Sequence, residues 1–465
     1  MMRRSAPVVA AVGMALASAA LAQSAPAANA PDVRKAEALS YAAAQQRYFE
    51  QSDALDAADA GVRAAAARYQ ATRTIGRPEV EVEAQVLDFQ KTLFLPLGPL
   101  ANVGAAFGLP DPLQFRIREL VSRPIITATV PIYAGGQMDA ARKGAASQLA
   151  IEEAARADTT AKGLVQLARA YFGRQLAGEA AAVRRELVNA IGQHVLDARA
   201  LEREQQIARV QRLQAEAALE QTMRELERAE GDVAAAEAGL LGLLRLDRAV
   251  PLATPLAVPA RPLPPVEEFL GSALTLHPSI KRLDASVTLA GAGVAAEAAK
   301  LRPTVYGVAQ YNLDRENTLL TDPDFIFGLG IKYKLISGLG RRSQLAAARD
   351  TEAQASAGAR EARSQVETGV MIAHSRAENA RRRHALYVRN IAAADEAVRV
   401  ARLAFREVQG TSRDVTDAEV MAASARVEQA LAAYEYLDAL ISLMEVSGQM
   451  ERLPEFLVTT EGAQP

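Results

Sequence analysis

Two segments 203 residues apart carry the same pattern, and this duplication constrains the fold more than any other feature of the chain. VPIYAGGQMDAARKGA at 130–145 resembles YKLISGLGRRSQLAAA at 333–348, which sets Gly135 against Gly338. Some eighty residues further on, the same offset carries Gln214-Ala215-Glu216 onto Asp417-Ala418-Glu419. An offset held over that distance marks an internal repeat, whose unit must be read before the whole. Upstream, the segment ending at Pro78 matches the one ending at Pro303 at an offset of 225. The first copy therefore holds 22 extra residues between its proline and its glycine pair, all in one loop.

Each copy reads helix, strand, loop, strand, very long helix, turn, helix. In EVEVEAQV at 79–86, Glu79, Glu81, Glu83 and Gln85 alternate with Val80, Val82, Ala84 and Val86. A period of two with one charged and one apolar face suits a strand between lipid and a wet lumen. The four expected strands lie at about 78–90, 121–133, 303–313 and 325–336, the last presenting Phe325, Phe327, Leu329, Ile331, Tyr333 and Leu335 on one face. Residues 91–122, rich in Pro and Gly, read as a long irregular loop, and 314–324 as its short counterpart.

Helices dominate the remainder, over 136–204, 207–246, 341–408 and 411–448. Val420, Ala423, Val427, Ala430, Tyr434, Leu437, Ile441 and Met444 recur at spacings of three and four, a period that predicts supercoiling against neighbours. Residues 136–204 would reach roughly 100 Å at ~1.5 Å per residue, too long for a globular core. A Pro-rich linker, 248–265, separates the first repeat (23–247) from the second (266–450), and a tail (451–465) follows. Four strands per chain are fewer than the ~8 of the smallest membrane barrels, so other copies must supply the rest.

Composition removes several classes of function. With 53 Lys+Arg against 55 Asp+Glu there is no basic surplus to neutralise phosphates, so nucleic acid is not an expected partner. Without Cys there is no disulfide, thiolate metal site or N-terminal lipid anchor. The four histidines are scattered, with His374 and His384 expected exposed on a helix rather than as ligands; no cofactor or metal is expected. Phosphate-loop, HExxH and GxSxG patterns are absent, which argues against an enzyme. Arg3 and Arg4, an apolar run from Val8 to Leu16 and Ala20-Leu21-Ala22 form an export signal over 1–22. No later stretch is apolar enough for a spanning helix.

These residues resemble the TolC family of bacterial outer-membrane efflux ducts over about 35–450. The likeness rests on the duplicated strand-to-helix turns at Gly135, Gly136, Gly338 and Gly340, on LHPSIKRLDASVTLAGAGVAAEAAKLRP at 276–303, and on two tips, EREQQIARVQRLQAE (202–216) and FREVQGTSRDVTDAE (405–419). The resemblance implies a mainly α chain with a small membrane β-part. It would form a homotrimer whose 12-stranded β-barrel, four strands per protomer, crosses the outer membrane of a Gram-negative bacterium and continues into a long periplasmic α-helical barrel. It also implies a passive duct of a tripartite efflux or type I secretion system, met by a periplasmic adaptor and, through it, an inner-membrane pump.

The resemblance further places Asp414, Asp417 and Arg413 at a periplasmic gate. In a trimer the two aspartates would set six carboxylates around one axis. Adaptor docking would fall to Val408, Gly410, Thr411 and Ser412, with Ile207, Ala208 and Arg209 in the first copy. On the residues alone, Asp414 is equally a first-turn acid stabilising a helix start, and Gly410 a glycine that lets the chain reverse. The first tip has Gln205-Gln206 where the family usually has Gly, and Gln211 and Gln214 add no charge to a gate. The rival reading is a soluble periplasmic coiled-coil adaptor or scaffold. Such a protein has no use for the row of apolar side chains from Phe325 to Leu335.

Overall fold

The computed structural model of the chain describes residues 38–314, 323–336 and 338–461. The expected export signal at 1–22, most of the 314–324 loop and the last residues of the tail lie outside the described residues. The chain enters through two helices, α1 (Tyr41–Gln51) and α2 (Asp53–Ala71), followed by strand β1 (Glu79–Leu95). A short helix, α3 (Ala101–Ala106), separates it from β2 (Leu113–Tyr133). Then come α4 (Gln137–Arg203), α5 (Arg209–Leu244), α6 (Val266–Leu276) and α7 (Pro278–Ala299). The second repeat supplies β3 (Thr304–Asn312), β4 (Phe325–Lys332), α8 (Arg341–Arg406) and α9 (Ser412–Val446), and α10 (Leu453–Glu461) ends the described chain.

The offset of 203 recurs in geometry. Gln205 and Val408, 203 apart, both take the left-handed conformation, with φ of 61° and 58°. Arg245 and Gly448 repeat this at the far ends of α5 and α9, with φ of 50° and 70°. The ion pair Arg199–Glu216, at 2.9 Å, has its duplicate in Arg402–Glu419. The first residues of β1 and β3, Glu79 and Thr304, lie 225 apart, the offset of the two prolines that precede them.

The four strands make one antiparallel meander, β1-β2-β3-β4. The first hairpin is longer than its sequence suggested: β1 and β2 stay in unbroken register from Glu79↔Thr129 to Leu95↔Leu113. Both ends of the expected loop at 91–122 are therefore strand, and 96–112 connects them. Prolines and glycines cluster within 96–112, while the Phe94 and Phe115 ends still alternate. In the other direction β4 is shorter than the expected 325–336 and stops at Lys332.

Register sorts the side chains into two faces. One carries Val80, Val82, Ala84 and Val86, then Ile126, Ala128 and Val130, then Val305, Gly307, Ala309 and Tyr311, then Phe325, Phe327, Leu329 and Ile331. It is apolar on all four strands, and Val82, Phe327 and Ile331 are 69%, 75% and 75% exposed. The opposite face carries Glu79, Glu81, Glu83, Thr127, Thr129, Gln310 and Lys332. An apolar surface of this extent has no place against water.

At 67 and 66 residues, α4 and α8 are each about 100 Å long. Small residues line their contacts: Ala359, Ala373, Ala377 and Ala380 on α8, and Ala422, Ala423, Ala430, Ala432 and Ala433 on α9, are buried, which lets helix axes approach closely. The main core lies partway along the helices. There Tyr41 stacks on Phe172 with centroids 5.5 Å apart, Tyr171 meets both edge-on, and Phe269, Leu440 and Ile441 close the cluster. The Tyr171 hydroxyl donates to the Leu39 carbonyl (2.6 Å) and accepts from the Thr254 amide (3.0 Å), so it ties the entering chain to the Pro-rich linker. That linker is clipped to α8 by Glu378, which accepts from the Leu263 amide at 2.7 Å, and by His374, whose Nε2 is 2.9 Å from the Pro264 carbonyl. His374 and His384, expected exposed, are thus half-buried, the first beneath the linker. Among the described residues no helix is long and apolar enough to cross a membrane, and no cluster of metal-ligating side chains occurs.

The strand-to-helix turns are not equivalent. Gly135 and Gly136 have φ of 66° and 100°, and a Cβ on Gly135 would sit 2.8 Å from the Ala299 carbonyl oxygen. Gly340 has an ordinary φ of −65°, and a Cβ on Gly338 meets open space. Gly135→Ala is therefore expected to destabilise the protein by ~1–3 kcal/mol, while Gly338→Ala stays within ~0.5 kcal/mol. Thermal inactivation half-lives of the two variants in mild detergent check this; equal half-lives would contradict it.

Candidate functional site: the helical tips

Both helical hairpins reverse at the end remote from the sheet, and each reversal is built the same way. In the first, the Gln206 amide donates to Leu201 O (2.9 Å) and the Gln205 amide to Glu202 O (2.9 Å). In the second, the Gln409 amide donates to Ala404 O (2.8 Å) and the Val408 amide to Phe405 O (3.1 Å). This pair of bonds closes a helix around one left-handed residue, usually glycine. Here that residue is Gln205 or Val408. The expected role of Gly410 in reversing the chain is thereby corrected. Its φ is ordinary, and it is small because a Cβ would lie 3.2 Å from the Ala404 Cβ and 3.3 Å from the Phe405 amide nitrogen.

Thr411 then caps α9. Its hydroxyl accepts from the Asp414 amide (3.3 Å), while Asp414 Oδ2 accepts from the Thr411 amide (2.8 Å) and hydroxyl (2.7 Å), a reciprocal capping box. These bonds hold the Asp414 carboxyl below the usual carboxylate range. Asp417, three residues on, is exposed and pairs with Arg413 at 3.5 Å. An exposed pair of this kind contributes at most ~0.5 kcal/mol, so Arg413 and Asp417 are free to answer to other charges.

Two of the residues expected to dock a partner lie inside the tip. Ser412 is wholly buried and Ile207 is 9% exposed. The Ser412 amide donates to Gln211 Oε1 on α5 at 3.1 Å, and its Oγ lies 2.7 Å from His194 Nε2 on α4. Ile207 packs with Val195, Ala198, Ala215, Phe405 and Val415. Neither side chain can offer an outside contact in this arrangement. Each has its own cause: the first amide of a helix has no partner within it, and Gln211 satisfies that donor of Ser412 from the other hairpin, whereas Ile207 is held by apolar packing. Val408, Thr411, Ala208 and Arg209 are exposed, and Gly410 is partly so.

His194 and Phe405 were given no role at the tip from the sequence, and Gln211 was read only as adding no charge to a gate. His194 is buried against the Phe405 ring, with centroids 4.6 Å apart, and joins the first hairpin to the start of α9. Burial pushes its pKa below the ordinary histidine value, Asp197 partly opposes this, and Arg402 adds to it. A lone histidine in a long helix gives little signal in sequence. Its one mark is a position opposite a capping Thr-Ser pair, and only the fold brings the two together.

The chain has the architecture of a set of solved membrane channels. Over 88% of its length it superposes on CusC, described with transmembrane channel formation (TM-score 0.72, 16% identity, 92% of that chain). It also superposes on the outer membrane protein VceC from Vibrio cholerae (TM-score 0.70, 15% identity, 96% of that chain). The MtrE outer membrane channel from Neisseria gonorrhoeae gives a TM-score of 0.69 at 17% identity, with 88% of each chain covered. No curated protein matches the sequence. At these identities the likeness is one of fold. Residues 269–449, in the second repeat, match the family model described as outer membrane efflux protein.

Three outcomes follow for the tips. Val408→Gly removes a left-handed β-branched residue and is expected to stabilise the second tip by ~1 kcal/mol, while Thr411→Ala, which removes the cap, costs ~1 kcal/mol. Hydrogen exchange over 400–415 reads both; no change in either would contradict the assignment. Because the His194 pKa is lowered in the folded tip, the stability it confers is present above about 6.5, the ordinary value, and is lost as pH falls below it. Exchange at 405–415 is therefore expected to quicken from pH 7.5 to 5.5, and His194→Gln to flatten that dependence.

Proposed function

We propose that the protein is the passive exit duct of a tripartite efflux or type I secretion assembly. Three copies would close a 12-stranded barrel of four strands each through the outer membrane, with the helices continuing into the periplasm. A periplasmic adaptor would hold the tips and connect them to an inner-membrane pump that supplies the energy. The observation that carries this reading is an apolar face unbroken across all four strands, on a sheet joined directly to helices about 100 Å long. The soluble scaffold reading leaves that face without a purpose.

In the same reading the second tip is a gate. Asp417 and Arg413 are exposed on the first turns of α9, and Asp414 shares the turn while capping it. Brought around a threefold axis, the two aspartates favour cations at the narrow mouth. Opening requires α8 and α9 to move away from α4 and α5, which breaks the bonds from Ser412 to His194 and Gln211. An adaptor favours the open state only if it binds the open tips more tightly than the closed ones. Val408, Gly410, Thr411, Ala208 and Arg209 are the outward groups available to it.

Single-channel recording in planar bilayers tests the gate. Asp414→Asn with Asp417→Asn is expected to reduce cation preference and block by multivalent cations, with about a tenfold weaker block. Unchanged selectivity and block would remove these residues from the gate. His194→Ala with Gln211→Ala is expected to raise open probability; a lower one would contradict the proposed brace.

A further inference from the structure

The sheet ends in two bare edges of opposite charge. On β1, Glu79 and Glu81 project from the polar face, and neither carboxylate has a partner among the described residues. Opposite them on β2 stand Thr129 and Thr127, which supply no cation. Glu83, next on the same face, accepts from the Gln85 side-chain amide. Like charges two residues apart on one strand face repel, so the row lacks its counter-charges within a single copy.

Those counter-charges stand on the other edge. A cleft of about 500 Å³ beside the end of β4 is lined by Lys300, Arg302, Lys332, Lys334 and Arg341, with Glu297 as its only carboxylate. Three of the five cations are committed: Lys300 to Glu297 at 2.6 Å, Arg302 to the Gly135 carbonyl at 3.1 Å, and Arg341 to the Lys300 and Leu335 carbonyls at 3.2 Å each. The Lys332 and Lys334 ammonium groups are exposed and have no partner among the described residues.

We propose that β1 of one copy docks antiparallel on β4 of the next with Glu79 opposite Lys334 and Glu81 opposite Lys332. This rests on the trimeric-duct reading and adds to it a register and the side chains that select it. β1 and β4 run in opposite directions in the meander, so closure is antiparallel. Keeping the apolar faces together requires odd-numbered β1 residues to face even-numbered β4 residues, so the permitted registers move in steps of two.

Stagger and charge choose among them. Within one copy the row through Glu79 passes Thr129 and Val308 and reaches β4 at Gly328, four residues before its end at Lys332. A closed barrel must continue that stagger, which brings the next copy's Glu79 past Lys332 and level with the residues just after it. A shift of two residues one way sets Arg77 against Lys334, a like-charge pair. A shift the other way sets Glu79 against the apolar Ile336 and spends a lysine on Glu83, which Gln85 already satisfies. The proposed register pairs the two carboxylates that lack partners with the two ammonium groups that lack partners. On the lipid side it sets Val80 beside Tyr333 and Val82 beside Ile331.

Because the chain has no cysteine, disulfide trapping reads the register directly. Directly opposed residues in an antiparallel pair have Cα atoms about 4.5–5.5 Å apart, within disulfide reach. In purified full-length protein, Val82→Cys with Ile331→Cys is expected to give a covalent trimer on mild oxidation. Val82→Cys with Leu329→Cys, or with Tyr333→Cys, tests the two neighbouring registers, and preferential trapping of either overturns the proposal. Independently, Lys332→Glu with Lys334→Glu is expected to lower trimer yield about tenfold at low ionic strength, and adding Glu79→Lys with Glu81→Lys to restore it. Restoration absent, or an intact trimer in the lysine variant whose only change is ion selectivity, overturns it: the glutamates then serve diffusible cations. A native protein that is not trimeric sinks the duct reading itself, whereas a trimer trapped in another register sinks only this inference.

Discussion

The backbone of a strand at the edge of a sheet carries unpaired amides and carbonyls, and in hydrocarbon these have no water to turn to. Each costs several kcal/mol there, so a β-sheet survives in a bilayer only when closed on itself. The rest of the structure depends on that constraint. A four-stranded meander with an apolar outer face cannot be a finished membrane object, and cannot be a finished soluble one either, because the same face would lie open to water. Closure by further copies resolves both problems at once. It also explains why so much of one protomer looks unfinished: unpaired glutamates on one edge, unpaired lysines on the other, and long helices whose exposed sides retain Met371, Ile372 and Leu431.

Much of the architecture was legible because duplication supplies its own control. One copy is weak evidence for any element, but two copies at a fixed offset test each other, and the left-handed residues Gln205 and Val408 or Arg245 and Gly448 fall where that offset requires. Less legible was how far strands run into a segment punctuated by proline and glycine. Composition reports average tendency, whereas β1 and β2 continue because each residue has a cross-strand partner out to Leu95 and Leu113. The two strand-to-helix turns also diverged. Gly135 is pressed against the end of α7, and Gly338 meets nothing, a difference set by tertiary surroundings that the matching sequences do not record.

At the tips the sequence located both helix reversals but assigned two side chains to the wrong side of the surface. Ser412 and Ile207 were placed at a docking surface by resemblance alone, which carries no information on burial. The fold instead draws them inward: the orphan amide of Ser412 at the start of α9 needs an acceptor, which Gln211 of the other hairpin provides, and Ile207 joins the apolar cluster around Phe405. His194 was invisible for a related reason: its importance lies in a contact 218 residues away along the chain. The tip is thus two hairpins joined by a small polar knot beneath an exposed rim of charge. In the proposed gate, such an arrangement would separate what holds the mouth shut from what meets ions or partners.

The central claim is that several copies of this chain close one membrane barrel. Native mass measurement on protein extracted from outer membranes in mild detergent, with conductance recorded on the same sample, tests it most directly. The account predicts a trimer that inserts into planar bilayers and shows small, mostly closed, cation-preferring conductance. A monomer recovered from the periplasm without detergent, silent in bilayers, would contradict it.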